Sequence, residues 1–163
     1  MCGPERPLIE TPRILAFKEP MKSLVPELSV SDLDKSLHFY RDIIGFEVMF
    51  QRPENRFVYM SFHASELMIE EDRPREGISA LWIIEPLDYP RGRGLNISID
   101  CPDAQALASR LAASGIQLRK PVEENWYREN QILHGERNFL VQDPDGYLLR
   151  FTQRLGTKPV GNN

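Results

Sequence analysis

Cysteine is scarce in this chain. Cys2 and Cys101 are the only two, and they stand far apart and outside any CxxC pattern. That excludes a disulfide framework and a thiolate metal site. Histidine is hardly commoner: His38 sits on a predicted helix, and His63 and His134 sit near predicted strand ends. No Ser-His-Asp spacing can be built from them, and the glycine run at 92–94 is too short for a phosphate loop. No apolar stretch approaches the roughly 18 residues of a membrane span, and the start lacks a signal-like apolar core. Clustered Lys and Arg are missing too, and the net charge is −4. A nucleic-acid partner needs such clusters and is not expected. These absences describe a protein of a reducing cytoplasm, with no nucleic-acid or membrane partner. The mild acidity is a weak bias towards a cationic small molecule.

With 163 residues, 41% of them hydrophobic and 27% charged, the chain has enough apolar side chain for one globular domain or two small modules on a shared core. "SLVPELSV" reads as a strand. In "SDLDKSLHFYRDIIGF", Asp32 is an N-cap, Leu33, Leu37, Tyr40 and Ile44 form a helical stripe, and Gly45 is a stop. Three strand-like runs follow: "FEVMFQ", "RFVYMSF" and "SELMIEE". The pattern then returns. "GLNISID" is a strand, "CPDAQALASRLAASGI" a helix ending at Gly115, and "IQLRKPVEEN" a strand with its extension. "ERNFLVQDPDG" and "YLLRFTQ" close a hairpin through DPDG, where Pro presets φ and Gly accepts φ > 0. A βαβββ unit thus occurs twice, about 70 residues apart, and such a repeat decides a fold. The expected organisation is an arm over 1–22, a first module over 23–75, a linker with a strand at "ALWII" over 76–93, a second module over 94–155 and a flexible tail over 156–163.

"LSVSDLDKSLHFYRDIIGF" followed by "FLVQDPDGYLLRFTQ" resembles the vicinal oxygen chelate superfamily, which includes glyoxalase I, extradiol dioxygenases, fosfomycin-resistance transferases and bleomycin-resistance proteins. The resemblance implies an α+β fold of paired βαβββ modules, with curled mixed sheets around a cleft. It also implies a homodimer, with module pairing within one chain or swapped between chains left open. Metal enzymes of that superfamily take ligands from the first and last strand of each module. The matching positions here are Val25 or Pro26, Met68 or Ile69 (Ile69 preferred), Asn96 and Arg150. Valine, methionine and isoleucine offer nothing to a hard cation, and arginine cannot coordinate one. Glu27 and Glu70 are nearby alternatives; a one-residue slip reverses a strand's face, so Glu70 is expected to point away from the cleft if Ile69 points in, whereas Glu27, two residues from Val25, would share its face and stays open as a ligand. The resemblance is closest to the bleomycin-resistance branch, at "SELMIEE" and "DPDGYLLRFTQ". It implies a protein without cofactor or metal that sequesters a small molecule of antibiotic type, such as a cationic glycopeptide drug, in a groove between subunits. The alternative is a metal-dependent enzyme of glyoxalase or dioxygenase type; a third reading is an interaction module with a filled cleft.

Trp82, Trp126 and Tyr127 are the expected groove aromatics, the last two on an irregular polar stretch, "ENWYREN"; packing at a dimer seam explains them as well. Tyr59 and Phe62 are further groove candidates, on a strand that could face the cleft. Phe39, Tyr40, Phe46 and Phe50 are expected in the core. Glu66, Glu70, Glu71 and Asp72 form an acidic cluster suited to a cationic tail or to a solvated strand end. Asn96 and Arg150 complete the expected ligand-binding set. A buried arginine demands a counter-charge, and Glu27 is the expected one unless a ligand anion serves.

Overall fold

Each α-helix is started by an aspartate, and each module closes on an antiparallel pair of strands, long in the second module. The computed structural model describes residue 22 and residues 24–74 and 77–161. Module one runs β1 (Glu27–Val30), α1 (Leu33–Leu37), a wider π-helical stretch (His38–Ile44), β2 (Glu47–Arg52), β3 (Phe57–Phe62) and β4 (Ser65–Glu71). Module two runs β5 (Asn96–Asp100), α2 (Ala104–Ala113), β6 (Lys120–Glu129), β7 (Ile132–Gln142) and β8 (Leu148–Pro159). The sheet orders are β1-β4-β3-β2 and β5-β8-β7-β6. β1 runs parallel to β4 and β5 parallel to β8, so each helix is a crossover covering one face of its sheet. This is the expected α+β fold of two βαβββ modules.

Asp32 caps α1 by accepting from the N–H groups of Asp34 and Lys35, each at 3.1 Å. Asp103 caps α2 by accepting from Ala106 N at 2.9 Å. Both satisfy donors that a helix start leaves orphaned. Gly45, at φ 97°, ends the first helix where its N–H and that of Phe46 both reach Tyr40 O.

The modules share one core. Phe62 stacks on Phe46 at 5.1 Å and meets Phe151 edge-on at 6.1 Å, and Phe151 stacks on Phe139 at 5.4 Å. Polar bonds lock the seam. Ser31 N donates to Asp145 at 3.0 and 3.1 Å, and Tyr147 Oη donates to Ser29 O at 3.1 Å. Arg91, from the linker, reaches Ser29 O at 3.0 Å and the carboxylates of Asp72 and Asp145 at 3.3 and 3.4 Å. The DPDG turn fits against the linker so closely that a Cβ on Gly146 would lie 2.6 Å from Pro90.

Three boundaries differ from expectation. "ALWII" is no strand: residues Gly77–Trp82 form a 3₁₀ helix, and the run belongs to neither four-stranded ladder. "ENWYREN" is not irregular, since most of it continues β6 to Glu129 opposite β7. The tail at 156–159 is strand: β8 continues past a bulge, where Gly156 takes φ 97°, until Pro159 pairs with Ile132. The arm over 1–22 lies outside the described residues apart from Lys22, whose N–H donates to Glu66 Oε2 at 3.0 Å.

Candidate functional site

Residues paired across a ladder share a face of the sheet, so the registers fix which side chains meet on the side away from the helices. On the second sheet Ser98 pairs with Arg150, Arg150 with Leu140, and Leu140 with Lys120. Asn96 and Leu148 form the row on one side, and Asp100, Thr152 and Asn138 the row on the other. Leu149 and Phe151, between them in sequence, are fully buried against the helices. Arg150 therefore stands in the middle of the helix-free face. Its Nε donates to Ser98 Oγ at 3.3 Å, and among the described residues no carboxylate lies within ion-pair distance of it. The expected Glu27–Arg150 pair is not formed.

The first sheet presents a row of Glu27, Met68, Tyr59 and Phe50, and beside it Ser29, Glu70, Phe57 and Arg52. Phe50 stacks on Tyr59 at 5.0 Å, and the Arg52 guanidinium lies 4.4 Å from the Phe57 ring. Tyr59 Oη donates a short hydrogen bond to Glu66. Burial, then that carboxylate, pushes the Tyr59 phenol up to about 12, and the same bond holds Glu66 below its ordinary value. Phe50 was expected in the core. Strict alternation from Val48, which pairs with the core residue Met60, would have put it there; a bulge between Val48 and Phe50 turns it to the face of Tyr59.

The structure corrects several expected site residues. Phe62 is only 8% exposed and faces the helices, within the shared core. Ile69 is fully buried in that core as well, so Met68 holds the helix-free face at this ladder position, and Glu70 shares it rather than pointing away. Trp126 and Tyr127 cannot both line one groove, since neighbours on a strand face opposite ways. Trp126 lies over Gly135 on the helix side, with Lys158 Nζ 3.8 Å from its ring. Tyr127 shares Arg150's face but pairs with His134, six residues along β7 from Leu140, or about 20 Å at roughly 3.3 Å per residue. Trp82 is exposed on the 3₁₀ helix, away from either ladder. Tyr59, Asn96, Arg150 and the distant Tyr127 are the expected site residues that do reach the helix-free faces.

A cleft of about 480 Å³ opens between the modules at the free edge of β5. Pro26, Phe46, Glu66 and Leu67 form one wall, and Asn96, Ile97, Ser98 and Ile99 the other. Ser98 joins this cleft to Arg150.

The residues matching the expected metal positions, Val25, Met68, Asn96 and Arg150, do not fit a divalent ion. Two are hydrocarbon or thioether, one is a neutral amide, and one is a fixed cation that would repel it. Among the described residues no three His, Cys, Asp or Glu side chains are grouped to hold a metal. The model of the Glyoxalase/Bleomycin resistance protein/Dioxygenase superfamily matches residues 22–151. The chain belongs to that superfamily. Its relatives include the lactoylglutathione lyase of Haemophilus influenzae, 27% identical over 87% of this chain and 100% of that one. A second lactoylglutathione lyase, from Neisseria meningitidis serogroup A, is 28% identical over 82% of this chain and 91% of that one. The fold is also that of TioX from Micromonospora sp. ML1, with a TM-score of 0.62 and 19% identity over 81% of this chain and 98% of that one. A protein of unknown function from Agrobacterium tumefaciens str. C58 gives 0.61 and 24% over 85% and 98%. No helix among the described residues is long and apolar enough to cross a membrane.

Proposed function

We propose that this superfamily member is a small-molecule binding protein that sequesters its ligand without a metal and without chemistry, as a homodimer. The observation that carries this reading is Arg150, which occupies the last-strand position of module two on the helix-free face, where a divalent ion would need a carboxylate. A cation there makes the local potential wrong for a metal and right for an organic ligand. On the first sheet, Glu27, Glu66 and Glu70 share the corresponding face, which suits a positive group of the ligand, as on a cationic glycopeptide. The test is incubation of the full chain with bleomycin, followed by equilibrium dialysis and mass spectrometry of the recovered drug. Saturable retention of unaltered drug supports the reading. Conversion of the drug counts against it.

The second reading is a glyoxalase-type lyase, favoured by the names of the relatives above. It requires a metal, for which Glu27 and Glu70 on the helix-free face of the first sheet would have to serve in place of Val25 and Met68, against the charge of Arg150 on the second. Stoichiometric divalent ion in the purified protein would favour it.

A further inference from the structure

The proposed function leaves open what Arg150 is for. We infer that the helix-free face of the second sheet binds the carboxylate of a small organic acid, with Arg150 supplying the charge; this deepens the binding reading above and rests on it.

Arg150 is half-buried, yet of its five N–H donors only Nε has a partner among the described residues, and that partner is a neutral hydroxyl. Several arginines meet a carboxylate, among them Arg56, Arg91, Arg137 and Arg154; others among the described residues do not, such as Arg110 and Arg128, whose guanidinium groups donate to backbone carbonyls. Of the acidic side chains on Arg150's face, Asp100 is taken by Arg154, with two bonds of 3.1 Å, and Glu123 by Lys120 at 2.8 Å. A partly exposed guanidinium with donors to spare can meet an arriving carboxylate in a charge-assisted, bidentate pair.

A second observation is independent of charge. Thr152 follows Arg150 by two residues and so shares its face; it is only 4% exposed, and its Oγ1 has no hydrogen-bond partner. Buried hydroxyls are rarely left so, and this one belongs to the residue next to Arg150 along the same strand face. Arg150 itself does not line the cleft at the edge of β5, but its partner Ser98 does, and the apolar walls of Phe46, Leu67, Ile97 and Ile99 suit a hydrocarbon or aromatic body on the far side of that hydroxyl. One cation among neutral donors matches a monoanion. A phosphate dianion would call for more than one cation.

Benzoate, neutral benzamide and cationic benzamidine share one shape and differ in charge. Each is titrated into the full chain after chelator treatment and followed by the Arg150 Nε–H and Ser98 amide resonances. Benzoate is expected to saturate both with an affinity about tenfold above benzamide, the size of one charge-assisted hydrogen bond, with no saturation by benzamidine. R150Q is expected to remove that advantage, and S98A to weaken benzoate by a smaller factor. Equal binding of benzoate and benzamide overturns the inference, and needs no variant. So does undiminished benzoate binding by folded R150Q. Divalent metal content before chelation is a separate reading: a stoichiometric ion would defeat the metal-free function, whereas charge-blind binding in metal-free protein defeats only the carboxylate site.

Discussion

Asp143 offers a stability test in which the sign can be worked out. It lies in the DPDG turn, 4% exposed, and accepts from Tyr40 Oη at 2.8 Å, from Tyr147 N at 2.8 Å and from Asp145 N at 3.0 Å. Burial outweighs those bonds and pushes its carboxyl from the ordinary 3.8 up to about 6. The folded state therefore takes up a proton as pH falls through about 6, while the unfolded chain waits until about 3.8. A raised value stabilises fully below the unfolded pKa and loses that contribution as pH rises through the folded one. At about 1.4 kcal/mol per pH unit, the full gap corresponds to roughly 3 kcal/mol, of which about 2 falls between pH 4.5 and 7.5. Asp143→Asn removes the titration and keeps the geometry, because the amide oxygen can accept the two backbone bonds and the amide nitrogen can donate to the Tyr40 hydroxyl. The assay is urea unfolding of both proteins at one protein concentration across that pH range. The variant is expected to gain about 2 kcal/mol relative to the parent from pH 4.5 to 7.5, or roughly 4–8 °C in Tm. A difference that stays flat with pH would refute the reasoning, and one that grows in the opposite direction would mean the three accepted bonds outweigh burial.

Other expectations follow from packing. Asp145→Ala leaves the Ser31 N–H and the largely buried Arg91 short of a carboxylate, and should cost about 3 kcal/mol or more, read as a fall in Tm. In Gly135→Ala the new methyl would meet the Trp126 ring at 2.6 Å; about 1–3 kcal/mol of overpacking and a shifted tryptophan emission are expected. Phe62→Ala should cost roughly 3–5 kcal/mol of stability while leaving benzoate affinity unchanged, because the ring belongs to the core. A loss of affinity without a loss of stability would put Phe62 back at a binding surface.

The fold was legible because capping and stop residues recur at matching places in both halves, Asp32 with Gly45 and Asp103 with Gly115, and because DPDG marks the turn ahead of the last strand of the second. Local chemistry of that kind needs no knowledge of neighbours. The placement of Arg150 was legible for the same reason, since a two-residue period carries it to the face opposite Leu149 and Phe151. The aromatics were not. Whether Trp126 lines a groove depends on strand parity across the bulge between Lys120 and Glu123, and a run such as "ENWYREN" carries no marker of that bulge. "ALWII" has strand composition, yet a strand needs an edge to pair with, which is a property of the assembled sheet. The acidic face of the first sheet was misplaced by preferring Ile69 over Met68, a one-residue choice that reverses every side chain.

The central claim is that the cleft of this superfamily member is built for an organic ligand in place of a metal ion. Elemental analysis tests it most directly, on full-length protein purified without chelator and then soaked separately with zinc, manganese, iron and nickel. The account predicts a divalent metal content far below one ion per chain in every sample. One ion per chain, lost when the helix-free faces are altered at Glu27 or Glu70, would contradict it.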